Sequence, residues 1–198
     1  NQVCGSGIRS VASGFQSIKS GDSKIIVAGG QENMSLAPHV VYLREGKKLG
    51  DVKLIDTMIK DGLWDAFNGY HMGITAENVA EKFQITRDEQ DIFALNSQEK
   101  ALKAQKENKF KNEIINFKIK TKKSEINFDK DEHPREGINL ETLKKLKPVF
   151  KKNGTVTAGN ASGINDGAAA VTLMSSEEAN KINLKKLVSI KSWASCGV

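Results

Sequence analysis

Apolar positions open the chain at helical spacing. Ile8, Val11, Ala12, Phe15 and Ile18 share one face, and Gly21-Asp22 predicts the stop. The pattern then changes. Lys24–Gly30 (KIIVAGG) is a continuous, β-branched run closed by two glycines, which predicts a buried strand of a mainly parallel sheet. A strand tightly joined to a helix points to an α/β class. Residues 31–70 hold no clear period. With Pro38 and glycines at 46, 50, 62 and 69 they read as an excursion with short helical pieces, Asp51–Lys60 the best of them. Thr75 predicts the N-cap of a helix from Ala76 to about Phe83. Thr86 and Glu89 form a capping-box pair, opening a long helix to about Lys106 with Ile92, Leu95, Ala101 and Leu102 near one side. Loose alternation over 113–128 predicts a strand pair. Asn139 predicts the cap of a short helix ending before Pro148. A glycine-punctuated loop spans 154–167, and strands are expected at Ala168–Met174 and Leu187–Ala194. Sheet elements thus lie at both ends, with a large insertion, about 35–165, between them.

Composition narrows the class. Of 198 residues, 38% are hydrophobic and 27% charged, and the apolar runs need burial, which excludes a disordered chain. No run approaches the roughly 18–20 apolar residues of a membrane span. No signal-peptide pattern opens the chain. Two cysteines exclude a disulfide scaffold. A start at Asn1 and a stop at Val198, just beyond an expected strand, point to a fragment. The net charge is +6, and it is concentrated. Between Lys103 and Lys152, fourteen lysines and one arginine face eight acids. Such a stretch is either a solvated surface or an attractor of anions, nucleic acid and a phosphorylated small molecule among them.

Cys4 is the first residue with chemical promise. It sits in Cys4-Gly5-Ser6-Gly7, where the first helix should begin. Free N–H groups and the positive end of the helix dipole stabilise a thiolate there, and the glycines leave the sulfur open to a carbonyl. A buried, inert cysteine is the alternative at this point. Cys196 reads as structural, and no Cys/His spacing resembles a zinc site. His71, in Gly69-Tyr70-His71-Met72-Gly73, sits where the backbone must fit closely against something; a packed, hydrogen-bonded histidine is the plain reading. His39 and His133 lie among surface-type residues. Neither a GxxxxGK[ST] loop nor a G-x-G-x-x-G after a strand is present.

Five strings carry a resemblance: NQVCGSGIRSVASG at 1–14, IIVAGGQENMSLAPH at 25–39, GYHMGITAENVA at 69–80, TRDEQD at 86–91 and GTVTAGNASGINDGAAA at 154–170. Long, ordered and spread over nearly the whole chain, they resemble thiolases, in particular the biosynthetic type. The resemblance implies part of the thiolase-like αβαβα fold with a large inserted loop domain. Residues 1–34 would end the N-terminal half with the nucleophile helix and a strand, 35–165 would be the CoA-binding loop domain, 166–182 the last strand of that half, and 183–198 the start of a truncated C-terminal half.

It also implies chemistry. Thiolases join two acetyl-CoA into acetoacetyl-CoA and CoA, or run the reverse thiolysis. Cys4 matches the acyl-accepting nucleophile, with its own N–H as an oxyanion donor. Leu63, His71 and Met72 match positions along the pantetheine tunnel, Arg135 an arginine near the adenine and phosphate end, and Phe150, Ala158 and Ser162 further pantetheine and adenine contacts. Thr142 stands where relatives often carry serine, and His133-Pro134 replaces a more usual Tyr-Ile-type pair. The basic excess gains a partner in the phosphates of CoA. No metal and no permanently bound cofactor are implied; the CoA thioester is substrate. A cytoplasmic homotetramer, with residues 35–56 in its contacts, follows from the same resemblance, and no membrane or nucleic-acid partner does.

The family's remaining catalytic groups, an Asn-Glu-Ala-Phe asparagine, a Gly-His-Pro histidine and a Cys-x-Gly cysteine, have no matching strings here, so this stretch alone should turn over little substrate. A degradative 3-ketoacyl-CoA thiolase is the alternative within the family, and a non-catalytic CoA-binding relative the alternative outside catalysis. A nucleic-acid binder lacks any reader motif or aromatics interleaved with the basic run.

Overall fold

The fold is that of a computed structural model, in which residues 1–196 are described. In chain order they form α1 (Ser6–Ser20), β1 (Ile25–Asn33), β2 (His39–Val40), β3 (Ile55–Asp56), β4 (Trp64–Asp65), β5 (Tyr70–His71), α2 (Met72–Lys82), α3 (Arg87–Lys106), β6 (Phe117–Lys120), β7 (Glu125–Phe128), α4 (Leu140–Lys144), β8 (Asp166–Met174) and α5 (Ser176–Lys181). Two compact units result. One comprises Asn1–Gly62 with 164–198, the other Leu63–Gly163.

The first unit is built on β1 and β8, paired along their full length from Ile25↔Met174 to Asn33↔Asp166. The helix α1 packs on this ladder: a Cβ on Gly14 would lie 2.8 Å from Leu173 and 3.2 Å from Ile26. It ends at Gly21, φ 84°, where the sequence places the stop. The pairing is antiparallel, not parallel as the apolar runs suggest. Burial is one-sided among the described residues: Ala28 is buried and Ile26 half-buried, while Val27 is 72% exposed and Val171 half exposed. A β-branched run signals two covered faces, but α1 covers only one side of this pair.

Three further expectations change. Asp51–Lys60 is no α-helix. Ile55–Asp56 pairs with His39–Val40, and one π-helical turn, Met58–Leu63, follows. Residues 187–196 form no strand; Leu187 and Val188 are exposed. An edge strand needs a partner ladder, and none lies beside them among the described residues. The last two residues of the chain lie outside the described ones. Cys196, read as structural, is a free, exposed thiol. The helix α5, capped by the Ser175 hydroxyl on the Glu178 N–H, is an element the periodicity did not announce.

The second unit follows the pattern more closely. The helix α3 carries the Thr86/Glu89 capping box. A capping box of Asn139 and Thr142 opens α4. The ribbon β6–β7 pairs Phe117↔Phe128 to Lys120↔Glu125. The start of α2 differs: it begins at Met72, and its N-cap is His71, not Thr75. A ring nitrogen can accept from a backbone N–H as a hydroxyl does, which the usual cap residues do not advertise. Leu143 (1% exposed) and Thr157 (fully buried) centre this unit's core. Among the described residues no helix is long and apolar enough to cross a membrane.

Candidate active site

Cys4 lies in a 3-10 turn, Val3–Gly5, directly ahead of α1. The Gly5 N–H donates to Gln2 O at 2.9 Å, and the Ser6 N–H to Val3 O. The Asn1 Oδ1 accepts from the Val3 N–H (2.7 Å) and from the Ser6 hydroxyl (3.0 Å), while the Ser6 oxygen accepts from the Gln2 N–H (2.9 Å). Those donors are engaged. Val3 holds φ 50°, a left-handed conformation that costs a β-branched residue about 1–3 kcal/mol.

The Cys4 thiol is free and exposed. It lines a mostly apolar concavity of about 600 Å³ with Val3, Gly7, Gly30, Ala168 and Ala170. Glycine is needed where the helix meets the strand: a Cβ on Gly30 would stand 3.0 Å from the Gly7 Cα. Ser10 Oγ lies 2.7 Å from Gly7 O and 2.8 Å from Gly29 O; its single hydrogen serves one or the other and ties the first turn of α1 to β1.

The other eight residues singled out from sequence belong to the second unit. Its Trp64↔His71 ladder places Leu63 and Met72 just beyond the same end of the β4–β5 hairpin. The His71 Nδ1 accepts from the Gly73 N–H at 2.9 Å, so the neutral ring carries its proton on Nε2. The ring stacks on Phe150, centroids 4.7 Å apart and planes at 21°. Phe150 also lies over Gly73, where any Cβ would strike it. The structure therefore joins His71, Gly73 and Phe150. Met72 is half exposed. Arg135 is exposed and held through its backbone N–H, which donates to Gln98 at 3.0 Å; its guanidinium has no protein partner among the described residues. The Thr142 hydroxyl is engaged in the α4 cap, donating to Asn139 O at 2.8 Å. Ala158 and Ser162 are exposed on the 154–163 loop. The lysine-rich stretch is partly neutralised locally: Lys118, Lys130, Lys144 and Lys151 bridge Glu125, Glu136, Asp88 and Glu81.

Sequence reasoning missed what holds that loop. Glu77, 3% exposed, accepts from the N–H of Thr155 and of Val156, each at 2.8 Å, and from the Thr155 hydroxyl at 3.0 Å. Burial alone would raise its carboxyl, but the donors from Val156 and Thr155 outweigh it and hold the group below the usual carboxylate range. Asp91, fully buried, pairs with Arg87 at 2.8 Å and accepts from Asn160 Nδ2 at 3.0 Å. Arg87 reaches on to Leu143 O (2.6 Å) and Leu146 O (3.1 Å), closing the end of α4. The legible signal was Glu77 itself, on the same helical face as Gly73 and Ala80.

The family model for the thiolase N-terminal domain matches residues 1–177. The acetyl-CoA acetyltransferase of Rhizobium meliloti (strain 1021) is 61% identical over 198 residues, covering all of this chain and 50% of that protein. Two solved structures cover 93% of the chain. An acetyl-CoA acetyltransferase from Syntrophomonas wolfei does so at 46% identity and TM-score 0.86, with 46% of its own length matched. Human mitochondrial 3-ketoacyl-CoA thiolase does so at 44% identity and TM-score 0.85, with 47% matched. The chain spans about half the length of the curated relatives it matches.

Proposed function

The chain belongs to the thiolase family, and on that premise we propose that it carries the nucleophile and the CoA-binding unit of an enzyme that condenses two acetyl-CoA into acetoacetyl-CoA, or runs the reverse thiolysis. The observation that carries the reading is the exposed Cys4 thiol, set in the 3-10 turn directly ahead of α1.

The Cys4 thiolate attacks the thioester carbonyl. A C–S bond forms at Cys4, the bond to CoA breaks, and the CoA thiolate leaves and takes up a proton. The Cys4 N–H donates to the transient oxyanion. A second acetyl-CoA gives up an α-proton to a base that the resemblance puts outside this stretch, the Cys-x-Gly cysteine, and its carbanion attacks the S-acetyl group. The new C–C bond forms as Cys4 leaves as thiolate. Sulfur serves both as attacking and as leaving group, which favours thiol over hydroxyl.

Leu63, His71, Met72 and Phe150 would line the pantetheine, Ala158, Ser162 and Thr142 would flank the same arm, and Arg135 would face the phosphates. The free guanidinium of Arg135 and the His71–Phe150 stack support that assignment. A cytoplasmic homotetramer without a resident cofactor is part of the proposal and rests on resemblance.

The test uses the full-length protein. Incubation with acetyl-CoA should leave an acetyl group on the Cys4 peptide by mass spectrometry. Iodoacetamide should label Cys4 ahead of Cys196, and acetyl-CoA should protect it. Labelling of Cys196 first, or acetyl on another residue, would overturn the reading. Thiolysis rates on acetoacetyl-CoA against longer 3-ketoacyl-CoA separate the biosynthetic from the degradative branch.

A further inference from the structure

We propose that Glu77 is a positioning residue, holding the 154–163 loop in the shape that grips the acyl-CoA arm; this rests on the thiolase reading above. Glu77 touches no substrate in this account. It acts through Thr155 and Val156, whose two N–H groups and one hydroxyl converge on its carboxylate.

The geometry is specific to a carboxylate. Two oxygens acting only as acceptors satisfy three donors at once. An amide of the same shape would turn an NH2 toward backbone N–H groups. Gly154 completes the fit, because any Cβ there would strike the Glu77 carboxylate. Beyond it, Gln90 Nε2 donates to the Thr155 hydroxyl oxygen at 2.9 Å. A second latch holds the far side of the loop. Asn160 bonds Asp91 through Nδ2 and accepts the Thr157 N–H at 2.8 Å, while the Thr157 hydroxyl oxygen accepts the Gly159 N–H at 3.2 Å. Between these latches lies Ala158, and Ser162 follows two residues after Asn160.

The same helix sets the opposite wall. It begins at Met72 with His71 as its cap, and it carries Glu77 on the face shared with Gly73, under the Phe150 ring. One rigid element therefore fixes the distance between the His71–Phe150 stack and the loop. Loosening the Glu77 latch lets the loop drift from the stack, which weakens the grip on ligand and leaves the chemistry of bound ligand unaltered.

The experiment compares Glu77→Gln, Thr155→Val and Thr155→Ser in the full-length enzyme by steady-state thiolysis and by Cys4 acylation at saturating acetyl-CoA. Glu77→Gln and Thr155→Val should each raise KM about tenfold with kcat within about twofold of the parent, the signature of lost uniform binding. Thr155→Ser, which keeps the hydroxyl, should return KM to the parent's value. An unchanged KM in a folded Glu77→Gln enzyme overturns the inference, as does a fall in kcat with KM unmoved. Should Glu77→Gln fail to fold, Thr155→Val against Thr155→Ser decides alone. Failure of the thiolase reading shows separately, as an unsubstituted protein whose turnover does not depend on Cys4.

Discussion

The two units solve burial in different ways. The unit with Cys4 stands on one long antiparallel ladder, packed by α1 through small residues; within this stretch, about half the length of its relatives, only the α1 side of the ladder is covered, and Val27 and Val171 lie uncovered. The unit of 63–163 buries few large apolar groups, Leu143 foremost, yet it also buries Glu77, Asp91 and Thr157 and satisfies every one. Buried carboxylates are costly unless fully hydrogen-bonded, and when they are bonded they favour one loop geometry over its neighbours. The contrast matches the division of labour proposed above. A nucleophile needs an open approach and a firm backbone beneath it. A long, flexible ligand needs a wall whose shape is set before it arrives.

The largest test is chemical. Cys4→Ser in the full-length protein should lower condensation by about 10⁴-fold or more while leaving KM-type binding intact if, as proposed above, the first unit supplies the bond-making atom. Acetoacetyl-CoA formation reads it, and retained turnover would remove the basis of the comparison. Leu143→Ala comes next: it should cost about 2–5 kcal/mol in urea unfolding, from a nearly fully buried side chain. Val27→Ala is its counterpart and should shift stability by within about 0.5 kcal/mol. A loss as large as that at Leu143 would show β1 covered in the protein as it occurs, and would erase the contrast.

Acid sharpens the difference. The folded Glu77 carboxyl is depressed below its ordinary value of 4.5, so its stabilising effect is complete above that pH and is lost as pH falls through the folded value. Hydrogen-exchange protection at Thr155 and Val156, taken relative to the intrinsic rate at each pH, should therefore fall as the Glu77 carboxylate protonates in the parent, and Glu77→Gln should flatten that dependence. Smaller still, Thr86→Ala removes the α3 capping box and should cost about 1 kcal/mol, readable as a lower urea midpoint.

Local pattern alone determined much of this molecule. The apolar stripe and Gly21 set α1, Thr86 and Glu89 set α3, Asn139 set α4, and the loose alternation over 113–128 announced the 117–128 ribbon, since each signal acts within one turn or one hairpin. Cys4 stood out as a candidate for the same reason: its neighbours in sequence, at the start of α1, are its neighbours in space. Tertiary structure decided the rest. Whether β1 and β8 run parallel, whether Asp51–Lys60 coils, and whether 187–194 pairs all depend on partners distant in the chain. The His71 cap escaped notice because a ring nitrogen is not among the usual cap acceptors, and the Glu77 and Asp91 latches because a carboxylate reads as a surface residue until donors 78 and 69 positions away fold onto it. Hydrogen bonds of that span carry no periodicity, and only the packed chain brings their two ends within reach.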